Sequence, residues 1–338
     1  MSHELTLGQR FQELRASLKL RDFLRPTYPV LDALSLPATA LGALHFKLLR
    51  RFGIVELGRN RELLSRLGIW PIAAHYYEPF VRKQDLRRPL DTPRDLPGLD
   101  LNLEGQLEFV ATLRYGDELA QIPIEQSSSA TFGYSNGTFA FGDAAFYYSV
   151  IRKLKPSRLI EIGAGNSTLV ARLALDRNAT EGSATQHVCV EPYEMPWLER
   201  LGIEIRRSKV EEVDRALIDS LGPGDILFVD SSHVIRPQGD VLFLYQEILP
   251  RLAPGVFVHV HDVFTPRDYP EDWVLEKMLL WNEQYLLEAF LTFNPRFKVL
   301  GALNFLFRDH FEALAEALPI LKEHRNRRPM SFWMRRES

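Results

Sequence analysis

Two groups of residues in this chain have the types and spacing to do chemistry. The first is Glu161-Ile-Gly163-Ala-Gly165-Asn166-Ser167-Thr168, where an apolar run ends in a carboxylate and passes through a small-residue turn into a helical pattern. Such a passage reads as a buried parallel strand, a tight turn and a helix whose N-terminus faces a ligand. Glycines at 163 and 165 let the backbone turn sharply and come close to that ligand. A dinucleotide fingerprint would want a third glycine where Thr168 stands, and a phosphate loop would want a lysine that this turn lacks. Glu161 is awkward beside a pyrophosphate and suits a cationic amino-acid moiety. Glu191, closing the run His187-Val-Cys-Val-Glu191, can accept hydrogen bonds from both hydroxyls of a ribose.

The second group stands at the ends of two later apolar runs, Asp225-Ile-Leu-Phe-Val-Asp230-Ser-Ser-His233 and Gly255-Val-Phe-Val-His259-Val-His261-Asp262. Strand alternation puts His259 and His261 on one face, and Asp262 arrives as the strand ends. If the runs are neighbouring strands, Asp230, His261 and Asp262 converge as part of a shell for one divalent ion, leaving positions for substrate oxygens. An imidazole in that set tilts the preference from magnesium toward manganese, iron or zinc. His259 reads as a hydrogen-bonded core histidine, and Cys189, between Val188 and Val190, as an inert core thiol.

Glu161, the Gly-x-Gly turn and Glu191 together resemble the class I S-adenosylmethionine-dependent methyltransferases. Longer runs sharpen the resemblance: His75-Tyr-Tyr-Glu-Pro-Phe80, Asn136-Gly-Thr-Phe-Ala-Phe-Gly-Asp143, Asp230-Ser-Ser-His-Val, Arg236-Pro-Gln-Gly-Asp240, His259-Val-His-Asp-Val-Phe-Thr-Pro and Trp281-Asn-Glu-Gln-Tyr. They look like a bacterial family of uncharacterised substrate, related to the macrocin O-methyltransferase and cephalosporin-hydroxylase group. S-adenosylmethionine is then the expected cofactor, with Glu161, Gly163, Gly165, Glu191 and Asp230 lining its site. By position, Asn166 and Ser167 start the helix after the turn, and Glu211, after the third strand, meets the adenine amino group. The layout after the fourth and fifth strands resembles the metal-dependent O-methyltransferases of catechols and macrolide sugars. That resemblance implies a metal at Asp230 and Asp262 and a general base at His233, while His261 departs from it, since an acid or amide is commoner there. The implied function is divalent-metal-assisted O-methylation of a hydroxylated small molecule or glycan. Two other readings stay open: oxygenase-like or other S-adenosylmethionine chemistry on the same fold, and a non-catalytic nucleoside-binding scaffold.

Positioning these residues takes an alternation of elements. Strands are expected at 158–162, 187–191, 203–207, 225–230, 255–261, 297–300 and 303–307, with helices at 166–176, 194–201, 211–221, 240–252 and 273–292 between them. A further helix begins at Gly142, with Asp143 in its first turn. This spacing specifies an α/β, Rossmann-like, doubly wound seven-stranded sheet, parallel with one antiparallel strand. The last two strands are expected to pair across a short turn at Gly301-Ala302. Residues 1–130 read as a helical and irregular accessory and lid region, 131–310 as the methyltransferase domain, and 311–338 as a solvated helical and basic tail. His75, Tyr76 and Tyr77 are lid candidates, and Trp281, Asn282, Gln284 and Tyr285 share a helix able to hold a polyhydroxylated acceptor.

Composition sets the outer bounds. With 338 residues, 46% of them hydrophobic, the chain can bury one large core or two modest ones. A net charge of −3 implies no general attraction to nucleic-acid phosphates. The single cysteine excludes an intramolecular disulfide and fits a reducing cytoplasm. Met-Ser-His-Glu-Leu-Thr at the start shows no secretory pattern. Pro29 to Leu49 is apolar but interrupted by Asp32 and Pro37, which reads as a core or interfacial helix with at most peripheral membrane contact. Nothing in the composition excludes a homo-oligomer.

Overall fold

The computed structural model describes residues 24–338. The hexapeptide at the start therefore lies outside the described residues. The chain divides into two compact units between Asp85 and Leu86.

The described part of the first unit is built on helices α1 (Tyr28–Arg51) and α2 (Gly58–Arg66). Its core is small: Leu49, Ile54 and Leu64 are buried, with Phe46 and Leu57 packed against them. Among the described residues no helix is long and apolar enough to cross a membrane.

The second unit, Leu86–Ser338, contains the sheet. Its strands are β1 (Arg158–Ile162), β2 (Gln186–Val190), β3 (Glu204–Arg206), β4 (Ile226–Val229), β5 (Phe257–Val260), β6 (Phe297–Ala302) and β7 (Phe332–Arg336). They lie in the order β3-β2-β1-β4-β5-β7-β6. All pairs are parallel except those of β7, which runs antiparallel to both β5 and β6. The main helices are α3 (Leu103–Ala111), α4 (Phe141–Leu154), α5 (Asn166–Thr180), α6 (Glu283–Leu291) and α7 (Leu303–Asp309). Period-two alternation sorts the apolar side chains into two layers. Leu159 and Phe228 face one layer with α4 and α5, and Ile160, Ile162, Leu227 and Val229 face the other.

Three expectations are corrected. The run 303–307 is not a strand: Leu303, Leu306 and Phe307 recur at helical spacing and are buried on one face of α7. The seventh strand is Phe332–Arg336, inside the segment expected to be a solvated tail. Phe332, Trp333 and Met334 are essentially inaccessible there, each contributing about 1.5–3 kcal/mol of burial. Finally, the helix expected over 273–292 is interrupted, Met278 adopting a left-handed backbone (φ 51°), so that a new helix starts at Glu283.

The stretch 86–130, assigned above to the accessory region, belongs to the sheet unit. Asn102 Nδ2 donates to the Val299 carbonyl (2.8 Å), and Gln106 Oε1 accepts from the Ala302 amide (2.6 Å), tying α3 along β6. Asp143 does more than favour the dipole of α4. It is buried, and its Oδ1 accepts from the Met330 and Ser331 amides (2.8 and 2.7 Å), which fixes the entry to β7.

Candidate active site

The strand order reverses between β1 and β4, and in an open sheet a ligand binds in the crevice outside the carboxyl ends at that point. The first-strand turn leaves β1 there. The Gly163 amide donates to Val190 O (3.0 Å), and the Asp230 amide donates to Ile162 O (2.9 Å), so the turn is stitched to both neighbours. Gly163 has φ 87°, and any Cβ on it would run into the Asp230 carbonyl oxygen. Gly165 is the opposite case: among the described residues, a Cβ there would meet no atom within 4 Å. The first glycine is required by the protein itself. The second keeps an open cradle at the mouth of the crevice.

The turn's polar groups are placed around that cradle. Thr168 Oγ1 accepts from the Gly165 amide (3.2 Å), at the start of α5. Glu191 Oε2 accepts from the Ala164 amide (3.2 Å) and Oε1 from the Tyr193 amide (2.8 Å), bringing the acid after β2 against the turn. Asn166 accepts from Gln126 Nε2 (2.8 Å) and donates to Thr138 Oγ1 (2.9 Å), tethering the preceding loop across the turn. Ser167 is buried in the first turn of α5. Glu211 follows β3 and lies 3.7 Å from Arg236, on a groove of about 960 Å³ shared with Lys209 and Gln238.

Glu161, expected beside a cationic ligand, has protein partners at the end of β1. Its carboxylate is fully buried beneath the turn. It pairs with His187 Nε2 (2.8 Å) and accepts from Tyr147 OH (3.2 Å) and the Cys189 thiol (3.4 Å). Burial, reinforced by the neighbouring Glu161 charge, pushes the Cys189 thiol far up, so it is inert as a nucleophile.

The second cluster assembles at the ends of β4 and β5. Asp230, His233 and Asp262 each offer a ligand atom within 4.8 Å of the others. His233 is gripped from three sides: its Nδ1 meets Glu283 Oε2 at 2.8 Å, and its Nε2 lies 3.2 Å from Asp230 and 3.4 Å from Asp262. His233 and Asp262 both hold left-handed backbones (φ 59° and 58°), a strained geometry that concentrates at functional sites. His261 stands just outside the compact trio. Its Nδ1 is 3.4 Å from Asp262 and 3.9 Å from Asp230, and its Nε2, 3.9 Å from Asp143, has no hydrogen-bond partner among the described residues. Asp262 Oδ1 and Glu283 Oε1 are also buried with no hydrogen-bond partner among the described residues. Asp230 and Asp262, with His233, have the donor chemistry that fits a divalent cation.

The charges are interlocked. Burial would raise Asp230, but the cations of His261 and His233 hold it down to about 2. Burial would lower His233, yet its hydrogen bonds to Asp230 and Glu283 carry it well above its ordinary value. His261 likewise resists burial and rises to about 9 through the charges of Asp262 and Asp230. His259 lacks such support; burial drives it well below 6.5, and it stacks on Phe228 (3.9 Å) as a neutral core ring.

Trp281, Asn282, Gln284 and Tyr285, expected on one helix, are divided: Trp281 and Asn282 precede α6, and Trp281 lies against His233 (ring centroids 4.4 Å) and packs edge-on with Trp273 (5.2 Å). The others are struts. Asn282 Oδ1 accepts from the Ile235 amide (2.6 Å), Gln284 bonds Phe264 and Arg267 backbone, and Tyr285 OH donates to Asp268. His75, Tyr76 and Tyr77 belong to the first unit. Glu283 is the residue that sequence reasoning missed. The interruption before α6 lets the Asn282 and Glu283 amides donate to the His233 carbonyl (2.9 and 3.2 Å), which brings the Glu283 carboxylate under the imidazole. A carboxylate in the Trp281-Asn-Glu-Gln-Tyr run was the available signal.

Residues 160–263 match the Methyltransf_24 family, described as a methyltransferase domain. An uncharacterised protein of Archaeoglobus fulgidus is 27% identical over 197 residues, which is 54% of this chain and 87% of that protein. Among solved structures, the O-methyltransferase TomG of Streptomyces achromogenes aligns at 15% identity over 68% of this chain and 90% of its own (TM-score 0.35). The O-methyltransferase of Bacillus cereus aligns at 15% identity over 69% and 91% (TM-score 0.35). At those TM-scores the assignment rests on the domain match and on the strand order found here. Residues 160–263, with the turn and both strand ends inside them, thus match a methyltransferase domain, and the strand order places that turn at the switch point of the sheet.

Proposed function

We propose that the chain catalyses O-methylation of a hydroxylated small molecule or glycan, with a divalent cation at the ends of β4 and β5. The observation that carries this reading is the meeting of Asp230 and Asp262 with the His233–Glu283 pair beside the cofactor turn. Gly163, Gly165, Asn166 and Ser167 would hold S-adenosylmethionine, which would supply the methyl group. Glu191 would take its ribose and Glu211 its adenine amino group, and Asp230 would border both the cofactor and the acceptor. A cation held by Asp230 and Asp262, with His261 next to them, would acidify an acceptor hydroxyl and neutralise the carboxylates that keep His233 protonated. Nδ1 of His233 is committed to Glu283, so Nε2 is the nitrogen left to take the acceptor's proton. Glu283 orients that ring and stabilises the imidazolium, as a buried carboxylate does in a triad. Trp281 offers the acceptor an apolar wall, and the remaining catalytic contribution is alignment of oxygen, methyl carbon and sulfur.

The test is transfer of label from methyl-labelled S-adenosylmethionine to a panel of catechols and sugars, with magnesium or manganese and with chelator. Oxygen-methylated product that requires the metal and disappears in Asp230→Asn is expected. Product formed equally well in chelator and in Asp230→Asn, or methylated on nitrogen or carbon, refutes the reading.

A further inference from the structure

Helix α1 is amphipathic with its apolar stripe turned outward. Val30, Leu34, Leu41, Leu44 and Leu48 recur at steps of four, seven, three and four, which places them along one side of a helix. These side chains are 51–73% exposed. The inward side carries Phe46 and Leu49 against Ile54 and Leu64, and Arg50 pairs there with Glu78. Among the described residues of this unit the packing is therefore satisfied without the outer stripe. An outward apolar stripe of this length is not ordinary surface scatter and marks an interaction face.

We infer that this face binds the surface of an anionic lipid bilayer. Charge selects that partner. Residues 24–85 hold nine Lys and Arg against five Asp and Glu, while 86–338 hold 28 against 36. Lys47 and Arg51, both exposed, flank the stripe near its C-terminal end. A second copy of the chain would set these cations against themselves, whereas anionic headgroups complement them. The geometry fits an in-plane helix: 24 residues make a rod about 36 Å long, at 1.5 Å per residue, that is too interrupted to cross. Trp70, Tyr76 and Tyr77 are exposed in the same unit, and such rings with an apolar body and a polar tip prefer the headgroup level.

The experiment is flotation of the full chain with vesicles of phosphatidylcholine alone and of phosphatidylcholine with phosphatidylserine. The protein is expected to float with the anionic vesicles. Leu34→Glu/Leu41→Glu should lose binding about ten-fold or more, and Lys47→Glu/Arg51→Glu about five-fold per charge. Both variants should keep wild-type circular dichroism and affinity for S-adenosylhomocysteine. Should the leucine variant misfold, an environment-sensitive dye at Leu41→Cys reads the same contact, since the native Cys189 is buried. Its emission is expected to shift blue on anionic vesicles only. Absence of flotation, an unshifted dye, or a wild-type dimer that the leucine variant converts to monomer without any vesicle binding would overturn the inference.

Discussion

The two glycines of the cofactor turn make opposite predictions when each is replaced by alanine. Gly163→Ala places a Cβ on a left-handed residue and drives it into the Asp230 carbonyl. The left-handed backbone alone costs about 1–2 kcal/mol for an L-residue. Overpacking against backbone, which cannot rotate away, adds about 1–3 kcal/mol more. A loss of about 3 kcal/mol should lower Tm by about 6–12 °C in a unit of this size. Gly165→Ala meets no atom of the described residues within 4 Å and has an extended φ of 177°. Its stability should stay within about 1 kcal/mol of wild type, because the strain-free site lets the less flexible unfolded chain offset any loss. What it fills is the cradle, so affinity for S-adenosylhomocysteine should fall at least about ten-fold, or about 1.4 kcal/mol. Differential scanning calorimetry and isothermal titration calorimetry separate the two effects. Unchanged affinity in Gly165→Ala would refute the placement of the cofactor over this turn, and an unshifted Tm in Gly163→Ala would refute the stitching of the turn to β4.

Three further outcomes follow from the same geometry. Glu283→Gln keeps the volume but removes the charge beneath His233, so kcat should fall about 10–100-fold with S-adenosylhomocysteine affinity unchanged, read by steady-state kinetics and calorimetry. Asp143→Ala leaves the Met330 and Ser331 amides without their acceptor and should cost about 3 kcal/mol in urea unfolding, while Asp143→Asn, which keeps an acceptor oxygen, should cost less. Arg152, buried, forks onto Glu118 (2.8 and 3.1 Å) and Glu181, and Arg152→Met should cost about 2 kcal/mol, less than a fully buried pair because both carboxylates are partly exposed. Hydrogen bonds from Arg152 hold Glu118 below 4.5, so the stability it supplies is complete above that pH and drains as pH falls through the depressed value; in Arg152→Met that acid-side slope should flatten.

What was legible in the sequence was local. The strand–turn–helix at Glu161 to Thr168 and the acids closing β2 and β4 each advertise themselves within ten residues, and alternation fixed the sheet class. Less legible was whatever depends on a partner distant in sequence. Phe332-Trp-Met-Arg-Arg follows a polar, basic stretch and reads as tail, yet it fills the gap between β5 and β6. The cation of Arg336 lies over Phe297 and that of Arg335 over Phe257, where their stems cover apolar surface. Glu283 was passed over because a continuous helix from 273 to 292 would have left it one polar residue among several. Only the break at Met278, and the His233 carbonyl that caps the new helix, aim it at the imidazole.

Glu161 is the instructive case, because its burial was available from parity alone. Leu159 and Glu161 are two residues apart on β1 and must share a face. The register then sets Glu161 opposite Cys189 on β2 and Phe228 on β4, and Phe228 opposite His259 on β5, a single row that ends at Trp333 on β7. In that row the Glu161 carboxylate is satisfied from within, by Tyr147, His187 and Cys189. Its bonds to His187 and Cys189 tie β1 to β2 two residues before Gly163. The motif's composition points to a ligand at Glu161, and its period adds the buried row that holds the carboxylate in place.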